Sequence, residues 1–238
     1  MTNSEIKLIK SLSLKKNRLK HQLFVVEGKK NVQELLSSDY EVQKLYATNN
    51  WIDINKGVKV QRVSNIELNR VSNQSSPNEV LALVKIKKHL KPPNSAITLI
   101  LDDINDPGNM GTIIRICDWF GVYSVVSSNN TVDIYNPKVV QSTMGSIFRV
   151  NIFYTDLIKY LNNVTTPIYA ASLDGLNLSD QEFSSNLHLV MGNESNGIRN
   201  EILKLVDKKI CIDKKNGKAE SLNVSIASAI FLHKIFCT

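Results

Sequence analysis

Apolar residues recur along this chain in two different patterns, and the change between them divides it. In the first 85 residues the runs are short and of mixed period. Between Ser4 and Leu14, Ile6, Ile9 and Leu12 fall on one helical face. Leu23 to Val26 forms a buried-strand run that ends at Glu27-Gly28, and Lys30 to Leu36 has a helical pattern. Lys44 to Ala47 and Val58 to Val63 are short strand patterns, Asn65 to Val71 is a helix, and Val80 to Val84 is a further strand. These elements predict a compact α/β domain. Beyond residue 96 the apolar runs are continuous and separated by helical stretches: Ile97 to Leu101, Val122 to Val126, Val150 to Phe153, Ile168 to Ala171, Leu187 to Met191 and Lys209 to Ile212. Uninterrupted hydrophobicity suits strands covered on both faces, as in a mainly parallel sheet with flanking helices, where ligands sit at the carboxyl ends of strands. The closing stretch from Glu220 to about Phe236 starts polar and then carries small and apolar residues on nearly every side. It predicts a helix buried all round, with a polar entrance at its N-terminus.

Lys85 to Ser95 is charged and ends in Pro92-Pro93, which resist both helix and sheet. The predicted division is therefore an N-terminal domain over 1–86, a linker over 87–96 and a second domain over 97–238. With 238 residues and 42% hydrophobic side chains the chain can bury a substantial core. The net charge of +7 is unevenly distributed: residues 1 to 95 hold 17 Lys and Arg against 8 Asp and Glu, a net of +9, whereas residues 96 to 238 hold 12 against 14, a net of −2. A basic first domain suits a polyanionic partner, although a solvated basic surface would look the same. Cys117, Cys211 and Cys237 are distant from one another and form no CxxC pair, so neither a disulfide framework nor a zinc site is expected, and a reducing cytoplasm is the simplest location. Met1 to Lys20 is too polar for a signal peptide, and no apolar run is long enough to span a bilayer.

Three strand ends carry unusual loops. In the first, Leu101-Asp102-Asp103 breaks into a turn and a helix begins near Asp106-Pro107, with Asn109, Gly111 and Arg115 in its early turns. Gly111 and Arg115, four residues apart, share a face; the glycine leaves room for a ligand, and the guanidinium offers a planar fork suited to phosphate. A helix cap with a surface arginine would show the same pattern. In the second, Met191-Gly192-Asn193-Glu194-Ser195-Asn196-Gly197 permits close backbone approach at Gly192 beside a carboxylate, as would an ordinary Asn/Ser/Gly turn. The third leads from Ile212 through Asp213-Lys214-Lys215-Asn216-Gly217-Lys218-Ala219 into the closing helix. The spacing Gly108-x-x-Gly111 is not that of a dinucleotide fingerprint, and GxxxxGK[ST] is absent.

Taken together and in order, these loops resemble the motifs of the SpoU family of RNA ribose 2′-O-methyltransferases in the SPOUT superfamily. Asn109, Gly111 and Arg115 match Asn-x-Gly-x-x-x-Arg; Gly192, Glu194 and Gly197 match the second motif; Glu220 to Val224 match Glu-Ser-Leu-Asn-Val. Phe24-Val25-Val26-Glu27-Gly28 is similar to the family's N-terminal substrate-binding domain, so the resemblance spans essentially the whole chain. It implies an α/β trefoil-knot methyltransferase domain with a mainly parallel sheet behind a small α/β substrate-binding domain. It also implies S-adenosylmethionine as cofactor, a homodimer completing the site, and RNA as substrate, with ribosomal preferred to transfer RNA. The family's cofactor positions fall on Gly192, Ile212 and Leu222, with Met191 and Asn193 beside them. The closing helix then has a face for the core and a face for the partner subunit.

Two departures qualify the resemblance. Asp213-Lys214 stands where many relatives have Pro-Met, and Gln141, within Asn136 to Ser146, stands where an arginine or another polar residue is frequent. The expected chemistry needs no metal. A ribose hydroxyl attacks a sulfonium methyl in line, so positioning contributes heavily and the hydroxyl must lose its proton. A guanidinium with a pKa above about 12 is a poor base. Arg115 is therefore expected to bind RNA phosphate and stabilise alkoxide charge, with Asn109, Glu194, Ser221 and Asn223 orienting groups around it. His21, His89, His188 and His233 lie outside the loops and have surface or packing roles, with His21 beside a basic run. Lys15, Lys16, Arg18 and Lys20 are the candidate RNA contacts of the first domain. The competing reading is a catalytically inactive, methyltransferase-like protein that binds RNA or assists ribosome assembly, for which the altered Asp213-Lys214 loop is the main support.

Overall fold

The structure, a computed structural model, describes residues 1–74, 79–93 and 97–237. Two compact units are present: Met1–Lys88 together with Asp133–Arg149, and His89–Val132 together with Val150–Thr238. The grouping is not linear in sequence, because the segment from Asp133 to Arg149 packs with the N-terminal elements. Residues 94–96 of the expected linker lie outside the described residues.

The first unit contains α1 (Asn3–Ser11), α2 (Lys15–His21), β1 (Leu23–Glu27), α3 (Lys29–Leu36), β2 (Val42–Ala47), α4 (Asn49–Ile54), β3 (Gln61–Arg62), α5 (Asn65–Asn69) and β4 (Val80–Lys85). Its sheet has the order β1-β4-β2-β3, with β4 antiparallel to both β1 and β2, and β3 parallel to β2. Thr2 starts α1 with a capping box: its hydroxyl accepts from Glu5 N, and Glu5 reaches back to Thr2 N. This sets the phase that buries Ile6, Ile9 and Leu12, as their spacing predicts, against Leu23, Val25, Tyr46, Leu81 and Leu83. The buried Glu27 carboxylate accepts from Ser72 Oγ and, at 3.0 Å each, from the backbone and side-chain nitrogens of Asn73. Of the expected strand from Val58 to Val63 only β3 forms, and α4, which the apolar spacing does not announce, buries Trp51.

Asp133–Arg149 contributes an aromatic cluster to this unit. Tyr135 lies 4.4 Å from Phe24 between ring centroids, and Phe148 lies 5.1 Å from Tyr40. Asn136 and Pro137 open α7 (Pro137–Thr143), which ends at Met144 and is followed by a 3-10 turn, Ser146–Phe148. Gly145 is required there: it holds φ 99°, and a Cβ would come within 2.5 Å of Glu34 Cγ. Gln141 accepts from Asn31 Nδ2 at 3.2 Å and from Gln74 Nε2 at 2.6 Å.

Arg18 corrects the expectation of a basic RNA-binding run. It is 2% exposed, and its guanidinium is occupied by Leu12 O and Ser13 O at 2.8 Å each and by Asp133 Oδ2 at 2.6 and 3.1 Å. The run is in fact α2, so Arg18 faces inward while Lys15, Lys16 and Lys20 are exposed.

The second unit contains β5 (Thr98–Asp102), α6 (Pro107–Phe120), β6 (Ser124–Ser128), β7 (Asn151–Thr155), α8 (Leu157–Leu161), β8 (Ile168–Asn177), β9 (His188–Gly192), α9 (Asn200–Leu203), β10 (Lys208–Cys211) and α10 (Val224–Cys237). A 3-10 turn, Leu178–Asp180, follows β8. Six strands form one parallel sheet in the order β10-β8-β9-β5-β6-β7. Covering on both faces accounts for the continuous apolar runs: Ile100, Val126, Ala170 and Val190 pack with α8 and α9 through Tyr160, Leu161 and Ile202. From β5 the chain proceeds to β6 and β7 on one side, whereas β9 and β8 lie on the other. The order therefore reverses between β5 and β9, where parallel sheets open a crevice at their carboxyl ends. His188, fully buried, is a packing residue. Its ring nitrogens meet Tyr160 Oη at 3.1 Å and Thr166 Oγ1 at 2.8 Å, and burial pushes its pKa down to about 4.

The closing helix differs from its expected burial. Val224, Ser225, Ser228, Phe231 and Leu232 are buried, but Ile226 is 52% and Phe236 43% exposed, with Ile230 beside them. Its one-chain packing against α6 covers only part of its apolar surface.

Arg18→Ala is expected to lower the unfolding free energy by roughly 3 kcal/mol in urea titration, because two backbone carbonyls and Asp133 lose their donor. Lys15→Ala should change it by less than about 0.5 kcal/mol.

Candidate active site

At the end of β5 the chain turns sharply. Asp103 holds φ 57°, uncommon for a residue with a Cβ, and is braced by Ser128, whose Oγ accepts from Asp103 N at 3.0 Å and donates to Asp103 Oδ1 at 2.6 Å. Asp106 caps α6 by accepting from Asn109 N at 2.7 Å, with Pro107 in the first turn. This places Asn109 on the first turn with its side chain free to bond elsewhere. Gly111, Met110, Ile113 and Ile114 are buried beneath it, and Arg115, one turn beyond Gly111, is exposed.

The loop after β9 is closed at its base by Asn193 and Gly197, whose backbones exchange hydrogen bonds of 3.0 and 2.9 Å. Asn193 Oδ1 accepts from Ser195 N at 2.9 Å and Asn196 N at 3.1 Å, and its Nδ2 donates to Asp103 O at 2.7 Å. A Cβ on residue 192 would lie 2.4 Å from Gly197 C and Ile198 N, so the loop closes only over glycine. Glu194 is held at the exposed outer side of this turn.

The third loop descends from β10 through Ile212. Asp213 accepts from Ser179 N at 3.3 Å, so this departure from Pro-Met ties the loop to the 3-10 turn after β8. Asn223 starts α10: its Oδ1 accepts from Ser225 N at 2.9 Å, and its O accepts from Ala227 N at 2.9 Å.

The three loops meet through side chains. Asn109 Nδ2 donates to Glu194 Oε1 at 2.7 Å, and Asn109 Oδ1 accepts from Asn223 Nδ2 at 2.8 Å. Beside this polar chain lies a cleft of about 860 Å³, within the usual range for a small-molecule site. Met191, Gly192, Asn193, Glu194, Ile212, Ser221 and Leu222 all contribute to its walls, with Val224, Ala227 and Phe231 from α10. Apolar walls, an open glycine-closed turn and a polar rim suit a ligand with a flat apolar part and hydrogen-bonding ends, as S-adenosylmethionine has. Of the residues expected at the site, Asn109 and Asn223 join the chain of hydrogen bonds from outside the cleft walls. The Arg115 guanidinium makes no hydrogen bond or ion pair with the described residues.

Two residues that motif matching leaves aside, Asp102 and Arg199, carry much of the geometry. The Asp102 carboxylate is fully buried; it accepts from Arg199 N at 2.9 Å and Nε at 2.8 Å, and Arg199 Nη2 lies 2.6 Å away. The pair raises the Arg199 pKa, first through this hydrogen bond. An acidic residue ending the apolar run Leu99-Ile100-Leu101 is the available signal, since a carboxylate buried there must find a cation. No group of three or more His, Cys, Asp or Glu that could hold a metal ion occurs among the described residues, and no described helix is long and apolar enough to cross a membrane.

Comparison with known proteins agrees with this geometry. Residues 96–233 match the model of the SpoU rRNA Methylase family, and residues 3–82 match an MRM3-like substrate binding domain. Over 240 residues the chain is 28% identical to the 23S rRNA (guanosine(2553)-2′-O)-methyltransferase RlmP of Bacillus subtilis, covering 98% of this chain and 96% of that protein. Among solved structures, a protein assigned to the TrmH family of RNA methyltransferases from Porphyromonas gingivalis superposes with a TM-score of 0.89 at 32% identity, covering 98% and 97% of the two chains. An AdoMet-bound rRNA methyltransferase from Sinorhizobium meliloti superposes with a TM-score of 0.87 at 26% identity, covering 98% and 94%. With its three motif loops joined at the carboxyl ends of β5 and β9, the chain belongs to the SpoU rRNA methylase family.

Proposed function

We propose that this protein transfers a methyl group from S-adenosylmethionine to a ribose 2′-hydroxyl of structured ribosomal RNA. The observation that carries this reading is the hydrogen-bond chain Glu194–Asn109–Asn223 beside the cleft, which links residues 114 positions apart in sequence. When bound, S-adenosylmethionine supplies an electrophilic sulfonium methyl. Met191, Ile212 and Leu222 provide apolar walls for it, and Gly192 and Asn193 provide close backbone. Asn109, with both ends of its amide engaged, fixes where Glu194 and Asn223 point, so the groups facing the ribose are oriented before the substrate arrives. Arg115, exposed and uncommitted among the described residues, receives the RNA phosphate and stabilises negative charge developing on the hydroxyl oxygen. Its guanidinium keeps its proton throughout, so it does not serve as the base.

The first unit is the RNA-binding part in this reading, through the exposed Lys15, Lys16 and Lys20 of α2. The functional division of this reading runs 1–86, 87–96 and 97–238, with Asp133–Arg149 of the last part packed among the N-terminal elements. Two further features belong to this reading, as the family resemblance implies: a trefoil-knotted methyltransferase domain and a homodimer. The dimer is supported by apolar surface left open on α6 and α10, where Trp119 is 84% exposed and Ile226, Ile230 and Phe236 are also accessible. A monomer in sedimentation at micromolar concentration would contradict it. The three cysteines are free thiols, in keeping with the cytoplasm, where ribosomal RNA is available.

Arg115→Ala should reduce methyl transfer by about a hundredfold or more while S-adenosylmethionine affinity, read by calorimetry, stays within about threefold. Normal turnover would remove Arg115 from the mechanism, and absence of cofactor binding by the unaltered protein would favour the inactive RNA-binding alternative. Replacing Lys15, Lys16 and Lys20 together with alanine should weaken RNA binding and flatten its log–log salt slope by about one unit per lysine. An unchanged affinity and slope would move the RNA contact elsewhere.

A further inference from the structure

Asp102 is the last residue of β5, and the sheet register sets it opposite Gly192, the last residue of β9. The loop that follows Gly192 returns to the same residue: Arg199, immediately after Ile198, gives Asp102 its backbone N–H, its Nε and its Nη2, at 2.9, 2.8 and 2.6 Å. Entry and exit of the Gly192–Ile198 loop are thus both referred to one residue, Gly192 through the backbone register and Arg199 through the buried carboxylate. The neighbouring Asp103 adds a second strut, its carbonyl accepting from Asn193 Nδ2 at 2.7 Å. Exchange with a hydrophobic pair could match this ion pair in stability, but not its geometry, because the carboxylate fixes both a backbone position and a guanidinium plane.

We propose that Asp102 and Arg199 are positioning residues for the methyl-donor site. They set the shape in which the Gly192–Ile198 loop receives S-adenosylmethionine and presents Glu194 to Asn109. The proposal rests on the functional reading above and deepens it. Neither residue needs to touch the reacting atoms. Asp102 acts through Arg199 and the loop backbone, and Arg199 keeps its outer side in solvent, 39% exposed. Removing the guanidinium alone leaves a buried carboxylate bonded only to a backbone N–H, and the loop base must rearrange to hydrate it. Neutralising Asp102 as well removes that demand, while an asparagine oxygen can still accept from the backbone N–H of residue 199. The two substitutions should therefore compensate.

The test is calorimetry of S-adenosylmethionine binding to the full-length protein, with RNA affinity and urea unfolding measured in parallel. Arg199→Ala is expected to weaken cofactor binding at least tenfold with RNA affinity within twofold, and adding Asp102→Asn to it should recover cofactor affinity to within about threefold of the unaltered protein. Arg199→Lys, which keeps the buried charge paired and so guards against simple misfolding, should lose cofactor affinity several-fold with an unfolding midpoint near normal. Unchanged cofactor affinity in Arg199→Lys and Arg199→Ala would overturn the proposal. So would a double variant no better than Arg199→Ala, or cofactor and RNA affinity falling together. Failure of the unaltered protein to bind S-adenosylmethionine would overturn the functional reading and this inference with it.

Discussion

Asn109 carries a side-chain amide with one donor end and one acceptor end, and this structure uses each end for a different loop. The donor goes to Glu194 and the acceptor receives Asn223. An aspartate there would repel Glu194, and a hydrophobic residue would leave Glu194 Oε1 and Asn223 Nδ2 without this partner at the edge of the cleft. The amide can do this only because Asp106 and Pro107 start α6 where they do, which brings the first helical turn level with the ends of β5 and β9. Everything proposed about methyl transfer depends on that joint holding three separately folded loops in one arrangement.

The parallel sheet supplies the platform, and the ion pair below it supplies rigidity. A crevice opens between β5 and β9 because the strand order reverses there. Loops at such a point would drift without cross-links, and two act besides the Asn109 joint: Arg199 on the buried Asp102, and Asn193 on the carbonyl of the strained Asp103. Positive charge is also divided by task. Arg18 and Arg199 are committed to buried or half-buried carboxylates and hold structure, whereas Arg115, Lys15, Lys16 and Lys20 present their charge outward. Net charge alone does not separate these roles, since both kinds of residue add to it equally.

Much of the second unit is legible in the sequence. Apolar runs mark all six parallel strands; in β5, β6 and β9 nearly every residue is buried, which leaves no alternation to confuse with helix, whereas β10 at the sheet edge buries only Ile210. The spacing of Asn109, Glu194 and Asn223 marks their loops, but not the bonds between their side chains, which depend on how distant loops meet. Arg18 was misread because a four-residue basic cluster looks like one surface, while α2 turns its third member inward to Asp133, 115 positions away. The end of β8 is not visible in the sequence because residues 172 to 177 mix polar residues with the exposed Leu173 and Leu176, so that strand is defined there by pairing with β10 and not by burial. The closing helix looked buried on every side because its sequence is apolar on every side; one chain does not supply enough neighbours to cover it.

The central claim is that the joined loops direct a methyl group onto one ribose oxygen. It is tested most directly by incubating the protein with methyl-labelled S-adenosylmethionine and ribosomal RNA from cells lacking its gene, then mapping the label along the RNA. The account predicts incorporation at a single nucleotide as a 2′-O-methyl ribose, recognised by resistance of the adjoining bond to alkaline cleavage. Cofactor and RNA binding without incorporation, or label carried on a base, would contradict it.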